Sequence, residues 1–208
     1  MNNNKTAATQ FPIHEIISQR WSPRAFSERP VEPEKLISTL EAARWAASSA
    51  NEQPWALLVA TSDDRKNYDA VAGVLVDSNR SWAEKAPVLI LAFAHTQFAK
   101  NGNPNRYAFH DVGQAVANLS LQATSMGLTV HQMAGFNAEA ARERFAVPTD
   151  WQPVSVMALG YPGDPESLGE NLRQREIAER QRKPLETFVF AGSWGRPAQI
   201  PGFPELNE

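Results

Sequence analysis

The chain has 208 residues, of which 42% are hydrophobic, 21% charged and 9% aromatic, enough apolar matter for a packed core and unlike a disordered chain. That length suits one domain, or a subunit that completes its core by pairing. Twenty Lys and Arg against 23 Asp and Glu leave a net charge of -3, which excludes a global basic field for nucleic acid or anionic lipid. Cysteine is absent, which excludes disulfides, thiolate nucleophiles and Cys-ligated metals, so redox work would need a bound cofactor. No apolar run reaches the roughly 20 residues that span a bilayer. The polar start MNNNKTAATQ lacks the apolar core of a signal peptide. A cytoplasmic protein with neither membrane nor nucleic-acid partners is expected.

Residues 1–12 read as a disordered arm, 13–200 as a single domain and 201–208 as a tail. Ile13, Ile16 and Ile17 recur at one-turn spacing and predict a short helix to Gln19, ahead of the break at Pro23. Pro33 and Glu34 open a second helix, whose stripe Leu36, Ile37, Leu40, Ala43 and Ala47 carries it to about Ala47. The runs ALLVA (56–60) and VLILAFA (88–94) predict central strands buried on both faces. Between them lie a weak helix, Arg65 to Val76, and a polar connection, Asp77 to Lys85, carrying Trp82. After the turn-rich loop NGNPNR (101–106), Val112, Val116, Leu119, Ala123 and Met126 mark a helix over 110–126. Its small residues Gly113, Ala115, Ala117 and Ser120 suit close packing on another helix, and Gly127 caps it. A strand over 128–133, a helix over 138–145 and a strand over 154–159 follow, giving a mixed α+β order. The charged stretch Arg173 to Lys183 reads as a solvated helix or linker. The closing LETFVFAGSWGRP brings Phe188, Phe190 and Trp194 with little helix after them, which suggests a surface on another subunit to lie on.

Arg20-Trp21-Ser22-Pro23-Arg24 places two guanidiniums and a hydroxyl on one tight turn, suited to a phosphate monoester, although taken alone such a pattern is more often a solvated surface turn. Ser48 to Trp55 crowds hydroxyl and amide groups before a strand, where Asn51 and Gln53 could read a ligand or merely satisfy a helix end and loop. Gly135, after the strand over 128–133, would let backbone N–H groups approach a planar ligand. The four histidines, His14, His95, His110 and His131, show no metal-ligand spacing and take surface or core roles; no metal is expected. Tyr107, His110 and Asp111 imitate an acid/base cluster, but Asp111 suits a helix start in any case. Neither a G-x-G-x-x-G loop after a strand nor a G-x-S-x-G elbow is present.

Taken in order, RWSPRAF and AASSANEQPW resemble the R-x-S-x-R/K-x-F turn and A-P-S-S-x-N-x-Q-P-W segment of the FMN-dependent nitroreductase family. The resemblance continues through EKAPVLI, HDVGQAVANLSLQATSMGL, HQMAGF, VSVMALGYP and RKPLETFVF, from about Ile13 to Arg196. It implies a nitroreductase-like α+β fold, a central mixed, mainly antiparallel sheet flanked by helices, and an interlocked homodimer with FMN at the subunit interface. By that resemblance Arg20 and Ser22 hold the phosphate, with the Trp21 backbone beside them, and Arg24 sets a cation against flavin N1 and O2. Ser49, Asn51 and Gln53 touch phosphate, ribityl or ring edge. Gln132, Met133, Ala134 and Gly135 run along the ring near N5, and Arg196 is the closing cation, with Ser193 at its place in relatives of different spacing. The chain departs from the pattern at Ala47, where relatives carry Pro, and at Ala134, where many carry an acid. The implied activity is NADH- or NADPH-dependent reduction of nitroaromatics, quinones or related electron-poor acceptors by ping-pong hydride transfer through flavin N5. No side chain acts as nucleophile, and Phe109 and Trp82 are candidate walls that core packing would equally explain. Alternatives are a flavin-binding protein with little turnover, or a family member specialised for enal or semialdehyde reduction or dehalogenation.

Overall fold

The computed structural model describes residues 5–203. They form two compact units that divide after Ala178. In the first, helix α1 (Glu15–Gln19) precedes α2 (Pro33–Arg44), where Pro at the first turn and Glu34 beside it favour the helix start. Strand β1 (Trp55–Thr61) leads to α3 (Arg65–Ala72), α4 (Asp77–Ala83) and β2 (Val88–His95). Then come α5 (Ala108–Ser125), β3 (Thr129–Met133), α6 (Ala138–Arg144), β4 (Trp151–Gly160) and α7 (Glu170–Ile177). Gly127, after α5, adopts φ 74°, the left-handed conformation of a helix stop.

The strands make one sheet in the order β1-β2-β4-β3, antiparallel at every pairing. Only β2 matches the expected central, doubly buried strand; β1 pairs with β2 alone and is an edge, its residues mostly half-buried. Side chains report which faces are covered, whereas edge position depends on backbone partners that WALLVAT does not encode. Between Ala92 and Phe93 the register against β4 shifts, and Pro153, which has no N–H to give, stands opposite Phe93.

Alternation along β2 sorts the core into two layers. Leu89, Leu91 and Phe93 join Tyr68, Val71, Trp82, Ala141, Val156 and Ala158 on the face covered by α3, α4 and α6. Val88, Ile90, Ala92 and Ala94 join Val112, Val116, Leu119, Met157 and Leu159 on the face covered by α5, against which α2 packs. Phe109, Gly113 and Ala117 fall on the opposite, exposed side of α5, and a Cβ on Gly113 would meet nothing within 4 Å. The polar connection expected at 77–85 is instead α4, begun by Asp77 in its first turn, with Trp82 only 2% exposed. Trp82 therefore belongs to the core, because a seven-residue amphipathic helix is too short for its period to stand out in sequence.

Within the sequence read as an arm, Lys5 Nζ donates to the Ala178 carbonyl (2.6 Å) and Ala7 N–H to that of Ser18 (2.9 Å). Residues 1–4 of the arm and 204–208 of the tail lie outside the described residues. Among its described residues the second unit holds one 3₁₀ turn (Leu185–Thr187), a bridge between Phe190 and Pro197, and a Phe190–Trp194 ring contact at 5.3 Å. No helix among the described residues is long and apolar enough to cross a membrane.

Candidate functional site

Arg20 ends α1, and the next five residues form the turn that leads to a bridge between Phe26 and Pro162. Within that turn Arg20 Nη1 donates to Ser22 Oγ (3.2 Å), bringing guanidinium and hydroxyl together as the sequence suggested. Lys5 Nζ lies 5.5 Å from the centre of the Trp21 ring, and the Arg24 guanidinium lies 6.0 Å from that of Trp82.

Two residues that sequence reading left as bystanders fix the turn. His131 of β3 places Nδ1 2.7 Å from the Pro23 carbonyl, its ring 4.5 Å from Trp82. A carbonyl only accepts, so that nitrogen carries the proton. Burial holds the imidazole neutral down to about 4, and the positive charges of Arg24 and Arg20 act the same way. Glu176 of α7, only 1% exposed, accepts from the Arg24 N–H (2.8 Å to Oε2) and the Ala25 N–H (3.1 Å to Oε1). Burial raises its pKa, against the opposing pull of those two amides. Here the expected solvated stretch is corrected. The signal was a carboxylate four residues after Leu172, which packs on the core, and hence on the same helix face.

His131 titration makes a pH prediction. Unfolded, the imidazole protonates near 6.5; folded, near 4. Between those values the unfolded chain binds the extra proton, so this contribution is full above 6.5 and lost as pH falls toward 4. The full loss, reached below pH 4, is on the order of 3 kcal/mol. Urea midpoints of the parent should therefore drop more steeply between pH 7 and 5 than those of His131→Asn. Parallel slopes would remove His131 as the cause.

The Ser49–Gln53 segment is built from strained backbone. Ala50, Asn51 and Gln53 all adopt positive φ (53°, 56° and 52°), a conformation costing non-glycine residues about 1–2 kcal/mol each. Asp111, only 1% exposed, accepts from the Ser49 N–H (2.9 Å), and Ser48 Oγ accepts from that of Gln53 (3.0 Å). The Asn51 and Gln53 side chains stay exposed. Asp111, expected merely to suit a helix start, thus holds this loop.

The structure joins some of the expected residues and separates others. His131 brings the Arg20–Arg24 turn against β3, and so beside 132–135. Met133 is buried (3% exposed) and offers only its backbone, whereas Gln132 and Ala134 are exposed. A Cβ on Gly135 would meet Asn79 Nδ2 at 2.5 Å, and the Gly135 carbonyl accepts from Asn79 (3.1 Å) and the Val76 N–H (3.2 Å). Glycine is needed there for contact with α4, not only for a ligand. The Ser49–Gln53 segment feeds β1, at the other edge of the sheet, three strand spacings or about 14 Å from β3. Arg196 and Ser193 fall in the second unit, where the Arg196 N–H donates to the Ser193 carbonyl (3.3 Å). A cleft of about 750 Å³ opens beside the turn; of the expected cofactor contacts only Arg24 lines it, and the candidate wall Trp82 lines it too, along with Phe26, Lys85, Asp164 and Leu172. Phe109 is 47% exposed, and no group of three or more His, Asp or Glu among the described residues could hold a metal.

The comparisons agree with this architecture. A 15.4 kDa protein of Mycolicibacterium smegmatis without an assigned activity is 38% identical over 132 residues, covering 64% of this chain and 87% of its own. A Streptomyces coelicolor protein named for two candidate activities, NADH dehydrogenase and NAD(P)H nitroreductase, is 26% identical over 161 residues, covering 68% and 78%. A crystal structure of an oxidoreductase containing FMN superimposes with a TM-score of 0.86 at 29% identity, over 93% of this chain and 98% of that one. Residues 17–161 match the family profile of the nitroreductases, and with the α+β sheet order above, the chain belongs to the nitroreductase family.

Proposed function

We propose that this chain is an FMN-dependent NAD(P)H oxidoreductase that reduces nitroaromatics, quinones or related electron-poor acceptors. The observation that carries the reading is the turn itself, with Arg20, Ser22 and Arg24 on a backbone anchored from both β3 and α7. Its donor set suits a flavin phosphate: a guanidinium and a hydroxyl already 3.2 Å apart offer directional N–H and O–H groups to a dianion, with a second cation nearby. Bound FMN supplies the redox chemistry, accepting a hydride at N5 and returning it to the acceptor.

The chain's own residues bind and orient. Arg20 and Ser22 hold the phosphate, with the Trp21 backbone alongside; Arg24 sets a positive charge against the pyrimidine edge. A backbone N–H of Ala134 or Gly135 would serve the ring near N5, with Gln132 and the Met133 backbone alongside.

The functional unit in this reading is a homodimer. Ser49, Asn51 and Gln53 lie at the sheet edge opposite the turn, so a second copy brings them to the FMN held by the first. Supporting this, Ile37 and Trp45 of the α2 region (64% and 73% exposed) and Phe109 of α5 leave apolar surface on the helical face, beside the small residues Gly113 and Ala117.

An absorbance spectrum of the purified protein, followed anaerobically by NADH and then NADPH, tests the reading. Flavin bands that bleach with either nicotinamide and return with a quinone or nitroaromatic are expected. Bands that persist would favour a flavin-binding protein without turnover, and a protein left colourless after soaking in FMN would overturn the assignment.

A further inference from the structure

One buried carboxylate decides where the backbone of Arg24 lies. Glu176 comes from α7, beyond residues 17–161 that match the family profile. Burying a carboxylate is costly unless its lone pairs are used. Here they are: Oε2 accepts from the Arg24 N–H at 2.8 Å, and Oε1 from the same N–H at 3.0 Å and from the Ala25 N–H at 3.1 Å. A leucine would fill similar space without that cost, so the charge serves the two amides. Glu176 engages Arg24 through its backbone N–H, while the Arg24 guanidinium lies 6.0 Å from the centre of the Trp82 ring. On the other side of the same peptide group the Pro23 carbonyl is held by His131 (2.7 Å). One carbonyl and the next two N–H groups are thus fixed by residues far along the chain, which sets the direction in which the Arg24 side chain leaves the backbone. Lys5, bonded to the Ala178 carbonyl (2.6 Å), ties down the end of α7.

We propose that Glu176 is a positioning residue, which holds the Arg24 backbone so that its guanidinium faces the pyrimidine edge of the flavin and raises the reduction potential. This rests on the reading that Arg24 lies against bound FMN. Direct electrostatics and positioning predict opposite signs. If Glu176 acted only through its field, Glu176→Gln would remove a negative charge near the flavin, favour the reduced anion and raise the potential. If it positions Arg24, the same change frees the turn and lowers the potential, as losing the cation does. Glu176→Asp keeps the charge and withdraws the carboxylate by one methylene, so the field account predicts no change and positioning predicts a fall.

The experiment is dye-linked measurement of the midpoint potential of the FMN-loaded parent, Glu176→Gln, Glu176→Asp, Arg24→Ala and the double variant Arg24→Ala with Glu176→Asp, each with a thermal melt. The expected result is a lower potential in both Glu176 variants and in Arg24→Ala, with no further fall in the double variant, since the two residues act through one another. A potential that rises in Glu176→Gln and stays at the parent value in Glu176→Asp overturns positioning. So does a parent potential in both Glu176 variants while Arg24→Ala lowers it, whatever happens to melting, and that outcome leaves the flavin reading intact. An Arg24→Ala protein with the parent potential overturns the placement of Arg24 against the ring and this proposal with it.

Discussion

Arg20→Ala is expected to weaken FMN binding roughly 30- to 150-fold while leaving riboflavin affinity within about twofold, the equivalent of about 2–3 kcal/mol for hydrogen bonds to a charged group. The separation between the two ligands is the point of the experiment. Riboflavin has the ring and the ribityl chain but no phosphate, so a side chain that grips phosphate cannot favour one face of the ring over another. Arg20 is half-buried at the end of α1 and shares a hydrogen bond with Ser22, so it meets the anion already oriented and loses little rotamer freedom on binding. Quenching of flavin fluorescence on titration with apoprotein reads both constants. An equal loss for riboflavin and FMN would mean that Arg20 supports the fold of the turn instead of the phosphate.

Trp82→Ala is expected to cost about 3–5 kcal/mol of stability, the range for deleting a large aromatic from a packed interior. The ring is 2% exposed, stacks against Phe26 at 6.3 Å, meets His131 at a tilt at 4.5 Å, and lies 6.0 Å from the Arg24 guanidinium. A cavity there leaves His131 without its wall and loosens its hold on Pro23, so the damage reaches the turn as well as the core. For a domain of this size the melting temperature should fall on the order of 10 °C. A variant that melts like the parent would put Trp82 outside the core and restore the ring to the role of a substrate wall.

The family pattern in RWSPRAF and AASSANEQPW was legible because those segments place unusual polar groups at short, fixed spacings, and local spacing survives without knowledge of the fold. All four strands and the main helices were legible too, since burial writes itself into a period of two or of about four residues, although the edge position of β1 was not. The long helix α5 and the doubly buried β2 are the clearest cases. Helix α4 was not, because seven residues give too few repeats for a period, and the polar DSNRS masks the single buried Trp82.

What the sequence by itself determined is the chemistry on offer: two arginines and a serine on one turn, amides ahead of β1, no cysteine, and a core split between two faces of a sheet. Only the tertiary structure decided which of these meet. It set β1 at an edge, parted Ser49–Gln53 from the arginine turn by the width of the sheet, and turned Met133 inward. It also brought Glu176 and His131, 152 and 108 residues from their partners in the turn, to hold its backbone. The reason is physical: side-chain periodicity encodes which face is buried, whereas hydrogen bonds between distant backbone groups leave no trace in the identity of the residues that make them.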